Sequence, residues 1–232
     1  MSTGILIPLY IYPTDASWMA VASAKQTNPN VPFVAVINPN SGPGLTQDPN
    51  YVAGINNLRA AGIVVLGYVP TDYGATPIAT VESSVNAYKS WYALDGIFFD
   101  EMSTSGLTQS YYQSLASYCN SLGYTITAGN PGATEPISLS GIFTIEVFYE
   151  NLGIPSSISS RGAFISYGVP SLPSLASYAN ASYLYVTDAN LPNPYNVLPS
   201  YFNQEVSSLA ALIPPVALTT SISVSISIVP VV

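Results

Sequence analysis

Asp100 and Glu101 follow Ile97, Phe98 and Phe99 without a break. Carboxylates at the end of so apolar a run are half-buried, and desolvation raises the pKa of one member while the other stays ionised. Glycoside hydrolysis needs that division: one acid to protonate the leaving oxygen, and one carboxylate to attack or to activate water. A third acid, Glu146, lies near the end of another apolar run, Ile142–Phe148. It is expected to face the Asp100–Glu101 pair from two strands away.

Groups so placed need a scaffold that brings strand ends together. Eight short runs rich in Ile, Val, Phe and Tyr recur: Ile5–Tyr12, Phe33–Asn38, Ile63–Tyr68, Ile97–Asp100, Tyr124–Ala128, Ile142–Phe148, Ala163–Tyr167 and Tyr183–Thr187. Their near-continuous apolarity is that of strands buried on both faces. Apolar residues spaced by three and four predict helices over Tyr51–Ala61, Ile78–Tyr92, Gln109–Leu122 and Pro199–Leu212. The pattern is weaker over Ala16–Ala24 and Leu172–Asn180, and Leu152–Ser160 is short enough to be only a turn. Alternation eight times over predicts α/β architecture, a single (β/α)8 TIM-type barrel spanning residues 1–213. An open doubly wound sheet would show fewer strands and a Gly-rich phosphate loop, and none is evident. In a barrel the working side chains come from the C-terminal ends of strands. In chain order those positions hold Tyr12 and Trp18, Asn38, Tyr68 with Asp72 and Tyr73, Asp100 and Glu101, Asn130, Glu146, Tyr167 and Asp188. Strand ends are also where solvated residues collect, so the ring as a whole, more than any one member, points to a site.

Composition excludes several alternatives. Asp, Glu, Lys and Arg make up 7% of the chain, with 12 acids against 4 bases and a net charge of −8. An average protein has about 25%. Ser, Thr, Asn and Tyr must therefore wet the surface, which keeps its charge state over a wide pH range and suits an extracellular or cell-surface setting. Lys25, Arg59, Lys89 and Arg161 form no basic run, so nucleic acid is not an expected partner. With no His and one Cys, His-based triads are excluded, and no zinc site, other metal or cofactor is expected. No apolar run approaches the roughly 18 residues that span a membrane, and Met1–Pro13 reads as a strand, not as a signal peptide.

DGIFFDE (Asp95–Glu101) resembles the family 18 glycosidase strand, but the Glu which that motif wants at position 102 is Met102. The fuller resemblance is to the spherulin-4-like family of cell-surface proteins, to which glycoside hydrolase family 135 belongs. It is carried by LYIYP (Leu9–Pro13) with Trp18, INPNSGPG (Ile37–Gly44), GYVPTDYG (Gly67–Gly74), DGIFFDE, GNPG (Gly129–Gly132) and a Glu late in the sixth strand. These segments keep family order over about residues 5–190. The resemblance implies a (β/α)8 fold and retaining endo-hydrolysis of α-1,4-linked galactosamine or N-acetylgalactosamine polymers. It places the functional carboxylates at Asp100, Glu101 and Glu146. The family's Phe-Glu could instead correspond to Tyr149–Glu150; Glu146 is preferred here because IFTIE has the right length for the strand, which would leave Glu150 on a loop.

Two readings of function follow. One is an extracellular glycoside hydrolase acting on an amino-sugar polysaccharide. The other is a surface structural or adhesion protein that keeps the barrel without turnover; the charge-poor composition favours it. The tail, residues 214–232, alternates Ser with Ile or Val. Period-two alternation of β-branched residues predicts an extended strand, expected to serve self-association or attachment.

Overall fold

The computed structural model describes residues 3–132, 140–156, 158 and 162–213. Eight strands form one closed parallel barrel in chain order. They are β1 (Gly4–Leu9), β2 (Phe33–Ile37), β3 (Val64–Pro70), β4 (Gly96–Asp100), β5 (Ile126–Gly129), β6 (Ile145–Leu152), β7 (Ala163–Tyr167) and β8 (Tyr183–Val186). Every residue of β1 and β2 is buried, as expected when one face fills the barrel and the other meets the helices. The expected fold is thus the observed one. The strand boundaries move most in β6, which begins and ends later than the sequence pattern predicts.

Among the described residues five α-helices pack outside: α1 (Ala16–Thr27), α2 (Pro49–Ala60), α3 (Ile78–Trp91), α4 (Gln109–Ser121) and α5 (Phe202–Ala211). The first two start from side-chain caps. Asp15 accepts from the Ser17 amide at 2.8 Å, and Asp48 accepts from the Asn50 amide at 2.8 Å with Pro49 at the first helical position. Each cap satisfies a donor that the helix start leaves open. Lys25, Arg59 and Lys89 occupy the last turns of α1, α2 and α3, where the helix dipole favours a cation. Helices return antiparallel to the strands, so these caps sit at the C-terminal face of the barrel and the cations at the opposite face. Leu172–Asn180 yields only a 3-10 turn, Leu175–Tyr178. The tail and its expected strand lie outside the described residues.

Two seams of the barrel are thinly paired, and side chains complete them. β5 and β6 share two register positions. Just below, the Thr144 hydroxyl accepts from the Thr127 amide at 2.8 Å and donates to the Thr127 carbonyl at 2.7 Å. β8 and β1 also share two positions. There the Val186 amide donates to Glu205 Oε1 at 2.8 Å. Glu205 reaches in from α5 and is fully buried, with its other oxygen unpartnered. Burial raises its pKa from 4.5 to about 8, against a smaller lowering by the Val186 amide.

That shift makes the closing of this seam depend on pH. The unfolded chain keeps the ordinary value, so the stability that protonated Glu205 contributes is complete below about pH 4.5 and lost as pH rises through about 8. Glu205→Gln keeps the acceptor for Val186 and removes the ionisation. Between roughly pH 5 and pH 9 the melting temperature of Glu205→Gln should fall less than that of the wild type. Parallel curves in a thermal-denaturation series would contradict this role.

Candidate active site

Inside a strand, side chains alternate between the two faces. On the outer face of the barrel, Phe99 stacks on Phe143 with centroids 5.4 Å apart. Gly129 pairs with Phe99, and a Cβ on Gly129 would strike Phe143 and Met102. Glu146 pairs with Gly129 and therefore also faces outward. Glu150 is four residues on and would share that face in a regular strand. The register instead shifts between Val147 and Tyr149, which pair with the consecutive residues Ala163 and Phe164. This bulge at Phe148 gives β6 one residue more than its partner and inverts the alternation beyond it. Glu150 then pairs with Ile165 and turns into the barrel mouth.

Asn130 gathers the cluster. Its side-chain nitrogen donates to Asp100 Oδ1 at 2.8 Å and to Glu150 Oε2. Two oxygens sharing one nitrogen are held within about 5.5 Å of each other. Asn130 itself is only 2% exposed. The Tyr195 hydroxyl donates to the other oxygen of Glu150 at 2.5 Å. Tyr10 packs edge-on against both Tyr195 and Tyr68 at 5.7 and 5.6 Å. Burial is the largest cause raising Asp100 from 3.8 to about 7, and the Glu150 carboxylate is the second; the Glu101 amide and the Tyr68 hydroxyl oppose them. Burial, then the nearby carboxylates, push the hydroxyls of Tyr10, Tyr68 and Tyr195 well above their ordinary value. All three remain neutral donors.

Glu101 comes next in the chain and takes a left-handed φ of 52°, as do Asp72 at 45° and Tyr73 at 54°. Such angles cost non-glycine residues roughly 1–3 kcal/mol each and persist where surrounding contacts enforce them. Here the contacts are explicit. The Tyr73 amide donates to the Glu101 carbonyl at 2.7 Å, and the Thr71 amide to the Asp100 carbonyl at 3.0 Å. The buried Thr71 hydroxyl lies 2.9 Å from both those carbonyls and 3.2 Å from the Tyr112 hydroxyl. The loops after β3 and β4 are thereby locked together beneath the carboxylates.

The other expected site residues separate. Tyr68 lies beside Asp100 in the mouth, while Asp72 and Tyr73 are exposed on its rim. Tyr12 is also exposed and is tied to α2, donating to Asp48 at 2.9 Å and accepting from Asn50 at 2.8 Å. Asn38 accepts from the Gly42 amide at 2.9 Å, and Asp188 from the Ser200 amide at 3.1 Å, so both shape their own loops. Tyr167, half-buried at the end of β7, receives the Gly153 amide on its carbonyl. Two expectations are corrected. Trp18 is no exposed platform: it is 3% exposed, donates to the Ile11 carbonyl at 2.9 Å, and packs where a Cβ on Gly54 would clash. Glu146 does not join Asp100. It accepts from the Gly141 amide and the Ser140 hydroxyl, and lines a cavity of about 620 Å³ with Pro32, Ile126, Ala163 and Tyr183 at the N-terminal end of the barrel. Glu150, the alternative to Glu146 expected on a loop, lies within β6 and takes the place beside Asp100; Tyr10 and Tyr195 are the additions. Among the described residues no group of three or more His, Cys, Asp or Glu is arranged to hold a metal ion.

A closed parallel barrel with facing carboxylates at the ends of β4 and β6 defines a (β/α)8 protein with its polar site on the face where barrel enzymes carry theirs. The chain belongs to spherulation-specific family 4, whose model matches residues 4–209. It is 34% identical over 236 residues to Spherulin-4 of Physarum polycephalum, covering 90% of this chain and 70% of that protein. The crystal structure of Aspergillus clavatus Sph3, in complex with GalNAc, superposes with a TM-score of 0.78 at 24% identity, covering 90% of this chain and 98% of that one. A putative fructose-1,6-biphosphate aldolase from Coccidioides immitis matches with a TM-score of 0.51 at 14% identity, covering 91% and 86%. At these identities the structural matches speak to the barrel alone.

Asn130 serves charged acceptors, so its importance should depend on their ionisation. Asn130→Ala should cost roughly 1.5–3 kcal/mol at about pH 8, and distinctly less at about pH 4, where Asp100 is protonated and needs the donor less. Denaturant unfolding at the two pH values measures this. An equal loss at both would show that Asn130 acts only as packing.

Proposed function

We propose that the protein is a glycoside hydrolase acting on an amino-sugar polysaccharide of the α-1,4-linked galactosamine or N-acetylgalactosamine type. The observation that carries this reading is the Asp100–Asn130–Glu150 bridge. Carboxyl groups about 5–5.5 Å apart suit a retaining mechanism, whereas inverting enzymes need a wider gap for water. Asp100, raised to about 7 by burial and by Glu150, would carry the proton and give it to the glycosidic oxygen as that bond breaks. The Glu150 carboxylate would attack the anomeric carbon and form a glycosyl ester. Water would then displace the ester, returning a proton to Asp100 and freeing Glu150. Glu101, on its strained turn at the rim, would contact the sugar beside the reacting bond.

The charge distribution supports the substrate class. Asp48, Asp72, Glu101 and Asp188 belong to loops on the mouth side, while Lys25, Arg59 and Lys89 end helices on the far side. Sulfated or uronic-acid polymers would meet only repulsion from the described loops. Neutral N-acetylated or cationic amino sugars would not. Tyr12 and Tyr73, 47% and 62% exposed on the rim, offer aromatic faces to sugar rings. The GalNAc bound to Sph3 is consistent with this choice. No described helix is long and apolar enough to cross a membrane, and a polymer substrate accords with an extracellular or cell-surface location. The second reading, a surface structural or adhesion protein without turnover, is favoured by Leu45, Leu107 and Leu191, exposed on loops of this same face.

Incubation with a panel of amino-sugar polymers, followed by mass analysis of released oligosaccharides, decides between the two. The wild type should release oligosaccharides. Asp100→Asn and Glu150→Gln should each lower the rate by about 10²–10⁴-fold, and Glu101→Gln should also be impaired. Glu146→Gln should stay within about twofold of the wild type, since Glu146 faces away from the mouth. No release from any polymer, or full activity in Glu150→Gln, would reject the hydrolase.

A further inference from the structure

The loop between β8 and α5 sends one side chain back into the mouth. Tyr195 is 7% exposed, and its ring is fixed from two sides: by Tyr10 at 5.7 Å and 90°, and by Tyr185 at 6.3 Å and 60°. Tyr10 is held in turn by Tyr68. So anchored, the Tyr195 hydroxyl has one carboxylate partner, Glu150 Oε1. Glu150 thus has a neutral donor on each oxygen, Tyr195 on one and Asn130 on the other. Asp100 shares the Asn130 donor and also feels the Tyr68 hydroxyl and the Glu101 amide, but its burial and the Glu150 charge outweigh them. Asn130 serves both acids; Tyr195 adds a 2.5 Å donor on the Glu150 side.

We propose that Tyr195 is a positioning residue whose hydroxyl holds Glu150 as the carboxylate of the pair and so leaves the shared proton on Asp100. The placing of the proton stands on the hydrogen bonds alone; its use in bond cleavage rests on the hydrolase reading above. The titratable groups around the pair are Asp100 and Glu101 from β4 and its loop, Tyr68 from β3, Tyr10 after β1, Tyr185 from β8 and Tyr195 itself. Among the described residues none of these is a cation, so the negative charge on Glu150 is stabilised by hydroxyl and amide donors. A hydrogen bond to a charged group contributes more than one between neutral groups, because the acceptor has more to lose. Loss of the Tyr195 hydroxyl should therefore change where the proton resides before it changes the fold.

Tyr195→Phe keeps the ring and its packing and removes only the donor. With glutamate labelled by ¹³C at the side-chain carboxyl, and the Glu150 resonance identified by its absence in Glu150→Gln, the resonance should titrate at higher pH in Tyr195→Phe than in the wild type. On a polymer that the wild type cleaves, kcat should fall about 10- to 100-fold with KM little changed. The acid limb of the pH profile should move to higher pH while the alkaline limb, set by Asp100, stays in place. Melting temperature should be nearly unaltered, and Tyr195→Leu should add a loss of stability that Tyr195→Phe does not show. An unchanged Glu150 titration in Tyr195→Phe overturns the proposal whether or not any polymer is cleaved. A shifted titration in a protein that cleaves nothing upholds the proton placement and counts against the hydrolase instead.

Discussion

Two carboxyl groups turned toward each other in a half-dry cleft repel unless a donor stands between them. In this protein the donor is the Asn130 amide nitrogen, shared by Asp100 and Glu150. The arrangement asks three things of the chain. Asn130 must be rigid, and it is: its amide donates to the Phe99 carbonyl at 2.8 Å and its carbonyl accepts from Met102 at 2.9 Å. Asp100 must end its strand at the same height, which the β3–β4 loop contacts through Thr71 enforce. Glu150 must point inward, which the bulge at Phe148 achieves.

The aromatic residues supply the dry surroundings. Tyr10, Tyr68, Tyr185 and Tyr195 form a continuous chain of edge-on rings under and beside the carboxylates. Tyrosine suits the task because its ring excludes water while its hydroxyl remains a donor. Burial keeps those hydroxyls neutral, so the charge at the mouth stays with the acids. A chain with so few ionisable side chains concentrates its titration where carboxylates are buried, at Asp100 in the mouth and Glu205 at the seam.

The barrel was legible from sequence because a fully buried strand must be apolar along its whole length, and eight such runs stand out from a Ser- and Asn-rich background. Asp100 and Asn130 were legible for a related reason: Asp100 ends a regular strand and Asn130 directly follows one, so counting residues places each at the mouth. Glu150 was not. Alternation counted along Ile145–Leu152 puts Glu146 and Glu150 on one face, and no Gly or Pro marks the bulge that separates them. The available signal was the adjacent pair Phe148–Tyr149, two large aromatics that both pack outside the barrel wall. Tyr10 and Tyr195 were hidden among 18 tyrosines. Trp18 misled because a tryptophan near a strand end suits a sugar platform as well as a core. Only its contact with Gly54 of α2, far along the chain, assigns it to the core.

The central claim is that the facing carboxylates at the ends of β4 and β6 form the place where a polymer is held and cut. The most direct test is a crystal structure of Glu150→Gln with an amino-sugar oligosaccharide bound. The account predicts a sugar chain lying across the C-terminal face, with one glycosidic oxygen within hydrogen-bonding reach of Asp100 and the adjoining anomeric carbon facing residue 150. An oligosaccharide seated instead at the N-terminal end, in the cavity beside Glu146, would contradict it.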